Sequence, residues 1–557
     1  MEHISQEGAL LKTHVLGPHP IIRHFIECLN LQGIVQACVG HGREPAINHG
    51  EALAVLVHNV LDSPEPLYRI AAWADPIAPQ AFAYTPEQKS ALNDDRIARM
   101  LDALVSERGR AIWFRLALRI IKQFKIATTR MHHDTTSVTF HGDYRDSVTV
   151  PRIAHGHNKD HRPDLKQFVF GLSVSADGAV PINHQILSGN RSDDTVHREN
   201  LEELRQIVGK SNFVYVADSK LASANNLREI AEHDGKFVTV LPRTHKEDKQ
   251  FRQRLRQDGI RWKRILTIPN KRQEDQAQNM FYVCSGRAQT QEGYRLIWIR
   301  SGAKALQDEQ FRMRQMEKAG VELALLAKKL NRRKLRSAKN IRTAAADILR
   351  QTQTAAFFRV RLSRQVYEEC RRLKPGRPAV NDPVKIVRKV SWGLRVSEDK
   401  EALRAECRVD GVFPLVTNLK EKAVPKKEVL LIYKYQSYIE KRFSQLKTNL
   451  QIAPVYLKKP RRCAGLIHAY YVALVVASLI ERSVRQGMER EGIKSLPLFP
   501  ENRDTGTPTC PRILEAFDHV SWHEVRRGDD VLQFPVALNK LQRDLLRLME
   551  VPAELYR

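Results

Sequence analysis

The sequence predicts an α/β protein: a core of short strands and helices, broken by a large basic insertion and preceded by a helical domain. Three observations predict it. The hydrophobic period changes at Ile126, from three- and four-residue steps to a run rich in β-branched residues, IATTRMHHDTTSVTF. From there to Leu241, apolar runs of strand length are separated by amphipathic stretches of helix length. Beyond about residue 245 that pattern stops, and between Ser301 and Arg350 there are 13 Lys and Arg against 5 Asp and Glu. The expected division is 1–125, a helical domain able to bind DNA; 126–244, the first part of the core; 245–410, a basic insertion of helices and strands; 411–490, the second part of the core; and 491–557, a linker with a small C-terminal helical piece.

In chain order, Asn93 is placed to cap a helix whose first turn holds Asp94 and Asp95, where negative charge suits the helix dipole. Ile97, Met100, Leu101 and Leu104 give that helix its apolar face, and Trp113, Ala117, Ile120, Ile121 and Phe124 give the next one its own. The first strand carries Asp134 in its middle. A carboxylate among Met131 and Val138 is costly unless it is paired or meets a cation. His132 and His133 beside it point to opposite faces, so both cannot share a site with Asp134. A polar loop, His155 to Gln167, leads to strands at 168–175 and 180–187 joined by Ala176-Asp177-Gly178. A helix at about 194–208 follows, then the buried-strand run FVYVA, which ends at Asp218. Ligands of open α/β sheets collect at such carboxyl ends. A helix at about 222–233 and a strand at 237–241 close this part. In the insertion, MFYVCSG and YRLIWIR read as strands around a long basic helical segment, which either contacts phosphates or presents a solvated face. VFPLVTN reads as a last strand.

The formal net charge of +28 over 557 residues favours a polyanionic partner, with affinity that falls as salt rises. The seven cysteines are scattered, odd in number and without a CxxC pair, which argues against a disulfide framework or zinc ribbon and fits a reducing cytosol. The first residues lack the apolar centre of a signal peptide, and the apolar run Gly465 to Ile480, short for a bilayer and containing His468, reads as a buried helix. No membrane association is expected.

Leu430 to Leu450 reads as one helix with two stripes. Ile432, Tyr435, Ile439, Phe443 and Leu446 form the buried one; Tyr433, Ser437, Glu440, Ser444 and Lys447 lie beside it, with one carboxylate between a phenol and an amine. Taken with Asp134 and Asp218, Glu440 completes a trio of acids on one α/β core. Such a trio suits two Mg²⁺ ions, since hard cations take carboxylate oxygens, waters and substrate phosphate. Two ions can activate an attacking oxygen and stabilise a leaving one at phosphorus.

The residues around the trio resemble those of the DDE transposases of bacterial insertion sequences, in the subgroup marked by Tyr-x2-Arg-x3-Glu-x6-Lys. Here the signature reads Tyr433, Gln436, Glu440, Lys447 with its spacing intact. The HHDTTSVTF strand, the KDHRPDLKQ loop, the YVADSK strand end and FPLVTN are also similar to that family, so the resemblance runs over roughly 20–485. It implies a ribonuclease H-like core, an insertion in the 221 positions between Asp218 and Glu440, and Asp134, Asp218 and Glu440 as ligands of two Mg²⁺ ions, with Mn²⁺ able to substitute. It further implies DNA contacts from Tyr433, Gln436 and Lys447, double-stranded DNA as transposon ends and target, a homo-oligomer in the synaptic complex, and a place in the bacterial cytoplasm at the nucleoid. The departure is Gln436, which lacks the charge and bidentate fork of the signature Arg. Two other functions stay open at this point: a DNA-binding relative with weakened chemistry, and a nuclease of the same fold.

Overall fold

The computed structural model describes residues 2–4, 10–40, 45–144, 151–191, 193–269, 278–373, 384–501, 503–527 and 530–556. Two compact units emerge. One joins residues 1–239 to 429–557, and the other is residues 240–428.

The first unit is built on five strands: β1 (Arg130–Phe140), β2 (Lys166–Ser175), β3 (Pro181–Ser188), β4 (Val214–Val216) and β5 (Lys236–Val240). Their spatial order is β3-β2-β1-β4-β5, antiparallel from β3 to β1 and parallel from β1 to β5. Helices Asp193–Val208 and Ala224–Glu232 make the crossovers between the parallel strands. The element order is the one the alternating runs predict. Strand β1 starts four residues later than the period change suggests.

Helix Pro460–Glu491 is the spine of this unit. It is long and apolar enough to cross a bilayer, and 94% of its most apolar window is buried inside the protein, as the sequence reading of 465–480 expects. Two glycines let partners close on it: a Cβ on Gly465 would lie 2.4 Å from Leu101 O, and one on Gly487 2.4 Å from Leu548 O. Asn93 does cap helix Asp94–Leu104, accepting from Arg96 N at 2.8 Å, and Ile97, Met100, Leu101 and Leu104 are buried.

The C-terminal segment forms its expected helix, Lys540–Met549, and adds a sheet that the sequence does not suggest. Ser521–Arg527 and Asp530–Phe534 are strands, and Ser521–Arg527 pairs antiparallel with Leu10–Val15, so both ends of the chain share one small sheet. The sequence hides this because SWHEVRR alternates polar and half-polar residues with no apolar face to signal a strand. All seven cysteines carry free thiols.

The second unit has four antiparallel strands in the order Val412–Thr417, Arg295–Ser301, Gln278–Cys284, Trp262–Pro269. Helices Gly302–Lys328 and Ala338–Gln351 pack through Ala319, Leu323, Leu326, Ala345 and Leu349. Phe358, Val360, Leu394 and Val396 cover that cluster from the base of a ribbon made of strands Phe358–Arg372 and Val384–Glu398. Arg312 and Asp410 are paired inside it by two bonds of 2.7 Å.

Candidate active site

The parallel register sets two of the acids side by side. His132 on β1 pairs with Val216 on β4. Two residues further along, Asp134 stands within β1 and Asp218 just past the end of β4, on neighbouring strands about 4.8 Å apart. Asp218 closes β4 and starts a tight turn, Ser219–Ala222, by accepting from Lys220 N at 3.1 Å; Thr239 Oγ1 holds its carbonyl at 2.6 Å. Asp134 Oδ1 accepts from Thr135 N at 2.7 Å and from Lys159 Nζ at 3.1 Å, and its carboxylate is about one-fifth exposed.

Glu440 arrives from a segment that is not the single helix its sequence suggests. The chain runs as helix Lys426–Lys434, breaks at Tyr435-Gln436, resumes as Ser437–Ser444 and ends in a wide turn at Gln445–Asn449. Gln436 sits at the break. It is buried, its Nε2 donates to His133 O at 2.8 Å, and its Oε1 meets His132 Nδ1 at 3.0 Å. Those bonds pin the break to β1, two residues from Asp134. Gln436, Glu440 and Lys447 therefore do not share one narrow arc: Gln436 points into the protein, Glu440 is exposed and Lys447 is half-buried. The expectation that Gln436 faces DNA is corrected, because both ends of its amide are bonded internally. Of the two stripes, Ile432, Ile439, Phe443 and Leu446 are buried, as expected.

A second anchor fixes this segment. Arg442 is buried and donates to Glu481 Oε2 at 2.7 Å, Gln445 Oε1 at 2.7 Å, Ala179 O at 3.0 Å and Gly178 O at 2.9 Å. Tyr435 OH accepts from Ala179 N at 2.9 Å. The β2–β3 turn, the long helix and the Glu440 segment are thus locked together by charge-assisted bonds.

Burial, and then the carboxylates of Asp218, Glu440 and Asp134, push the Tyr433 phenol up to about 12. Burial and the charge of Lys159 hold Lys220 below the usual lysine range, with Asp134 opposing them. Among the described residues no three His, Cys, Asp or Glu side chains stand close enough together to enclose one metal ion. The donor chemistry nonetheless fits hard cations: the acids offer only oxygen, and at Asp134 a lysine ammonium already sits as counter-charge.

The histidines behave as the alternation requires. His132 turns toward Gln436 and Tyr435, while His133 turns to Ser173 and His197 on the other face. Burial holds His132 and His197 at about 4. His197 lies behind Asp218, its Nε2 4.0 Å from Oδ1 and its Nδ1 3.2 Å from Tyr215 OH.

Three residues near the acids escape the sequence reading: Lys159 on Asp134, His197 on Asp218, and Asp160, which takes Lys447 Nζ at 2.7 Å on both oxygens. The polar run His155 to Gln167 is visible in the sequence, but a loop has no period from which to assign a direction to each side chain.

The family of the transposase DDE domain matches residues 130–476, and a domain family of unknown function matches residues 11–118. No curated protein matches the chain. Among solved structures, the chain is similar to the cryo-EM structure of a piggyBac transposase synaptic complex with hairpin DNA, at 9% identity and a TM-score of 0.38 over 90% of this chain and 79% of that one. That likeness is too distant to bear on the site.

Proposed function

The chain belongs to the transposase DDE domain family, and from that membership we propose that it binds the inverted-repeat ends of an insertion sequence and cuts and joins DNA strands there. The observation that supports this reading is the parallel pairing of β1 with β4, which sets Asp134 next to the strand end where Asp218 stands. The strand order β3-β2-β1-β4-β5 supports a ribonuclease H-like core with the second unit as its insertion.

Asp134, Asp218 and Glu440 would hold two Mg²⁺ ions, or Mn²⁺ in their place, which when bound supply activation of the attacking oxygen and stabilisation of the leaving one. The chain's own residues do the rest. Lys447 places a point charge for a backbone phosphate, and Tyr433 offers a hydroxyl that stays protonated at neutral pH, hence a donor to a phosphate oxygen. The bonds of Arg442 and Gln436 tie the segment that carries Glu440 to β1 and to the long helix. The cations of the second unit supply affinity without sequence preference. Synapsis of two ends calls for at least two copies of the chain.

The test is cleavage of a duplex that carries the element's own ends, in Mg²⁺. Asp134→Ala, Asp218→Ala and Glu440→Ala should each abolish cutting and retain end binding. Cutting by Asp218→Ala at the wild-type rate excludes the assignment.

A further inference from the structure

The loop from His155 to Leu165 is tied to β1 and β2 by side-chain bonds. Asn158 is buried; its Oδ1 accepts from Asp160 N at 2.7 Å and Arg162 N at 3.2 Å, and its Nδ2 donates to Gln167 Oε1 at 2.9 Å. Gln167 is fully buried on β2 and donates in turn to His157 O and Gly189 O, at 3.2 and 3.0 Å. Lys159 N donates to Ser137 Oγ on β1 at 3.2 Å. From that frame two consecutive side chains diverge. Lys159 Nζ reaches Asp134 Oδ1 at 3.1 Å and also Thr135 O. Asp160 takes Lys447 Nζ on both oxygens at 2.7 Å.

Each partner has the charge that DNA and its cations would bring. Asp134 faces an ammonium where a divalent cation is expected, and Lys447 faces a carboxylate where a phosphate is expected. Both substitutes sit on adjacent residues of one loop, bonded to two segments far apart in sequence. We propose that Lys159 and Asp160 are positioning residues that occupy the cation and phosphate places of the site until DNA enters. This rests on the reading of Asp134 as a cation ligand. Entry of a phosphate at Lys447 frees Asp160, and the loop movement that follows withdraws Lys159 from Asp134. Cation binding and DNA binding are thereby coupled, and each strengthens the other by the same factor. The DNA-free protein keeps the charge of Asp134 compensated.

The test uses the full-length protein and Mn²⁺ as the probe, with free Mn²⁺ read by its electron paramagnetic resonance signal. Without DNA, Lys159→Met should bind Mn²⁺ about tenfold more tightly than wild type, because a charge-assisted competitor is gone. Lys159→Arg should keep wild-type affinity. A merely structural lysine gives the opposite sign, since a damaged site binds less. Without metal, Asp160→Asn should bind a generic duplex roughly two- to fivefold more tightly, the scale of a half-exposed ion pair removed. Unchanged or weaker Mn²⁺ binding by Lys159→Met, with Asp134→Ala losing Mn²⁺, overturns this inference alone. Wild-type Mn²⁺ binding by Asp134→Ala overturns the reading of the site beneath it.

Discussion

Helices Pro460–Glu491 and Gly302–Lys328 have comparable lengths, 32 and 27 residues, and opposite surroundings. The first is buried along nearly its whole apolar stretch and carries the buried acid Glu481, which anchors Arg442. The second buries one narrow stripe, Met316, Ala319, Leu323 and Leu326 with Arg312, and exposes Leu306, Phe311, Met313 and Val321 among its charges. The difference matches the tasks proposed for the two units. Holding the segment that carries Glu440 against β1 needs buried, directional bonds. Holding a polyanion needs exposed charge, whose ion pairs are worth little in water. A sharp test of the contrast is to break bonds of each kind and compare the losses.

The largest loss is expected at Glu481. Glu481→Ala leaves Arg442 buried without its counter-charge and should cost about 3–5 kcal/mol, read as a fall in the urea midpoint. Acid comes next. The folded values of His132 and His197, about 4, lie below the ordinary 6.5, so the unfolded chain takes up protons first. Their contribution is complete above pH 6.5 and is lost as pH falls from there toward 4. Each group contributes about 1.4 kcal/mol per pH unit across that window, so unfolding at pH 5 should show stability about 4 kcal/mol below that at pH 7 from these two alone. A flat profile from pH 7 to 5 would mean that these rings are not buried neutral.

Gln436→Ala removes two buried bonds to β1 and should cost about 1–2 kcal/mol, and it should slow strand cutting through misplacement of Glu440. Gln436→Arg sharpens the point: a guanidinium there enters a buried position next to His132, so it should destabilise the fold and not tighten DNA binding. The smallest stability effect belongs to the second unit. Arg388→Ala breaks an exposed pair with Glu368 and should change stability by less than about 0.5 kcal/mol. Replacing Arg332, Arg333, Lys334 and Arg336 together by Ala should leave the fold intact and reduce the log–log salt slope of duplex binding by up to about 3.6, since each phosphate left without its cation removes about 0.9.

How much of this was legible in the sequence follows from the same contrast. Buried strands announce themselves, because FVYVA and FVTV have few apolar alternatives to a sheet; both form within a residue or two of their expected places. Asp218 at a strand end and Asp134 within a strand are readable for the same reason. The helix break at Tyr435-Gln436 is not, since the stripe of Ile432, Ile439 and Phe443 keeps helical spacing across it. Only the tertiary bonds of Gln436 reveal it. The 15-residue strands of the ribbon were hidden too: FRVRLSRQVYEECRR alternates apolar and basic residues, and its high charge disguises a strand as a basic insertion. Lys159 and Asp160 gain meaning only from the three-dimensional frame of Asn158 and Gln167.

The central claim is that Asp134, Asp218 and Glu440 face one point. Fe²⁺ replacing Mg²⁺, with ascorbate and peroxide, generates hydroxyl radicals at the bound ion and cuts the nearby backbone. Fragment mapping by mass spectrometry should find cuts in three segments, around residues 134, 218 and 440, suppressed by excess Mg²⁺ and absent in Asp218→Ala. Cuts confined to one of those segments, or cuts elsewhere that Mg²⁺ does not suppress, would contradict the convergence of the three acids.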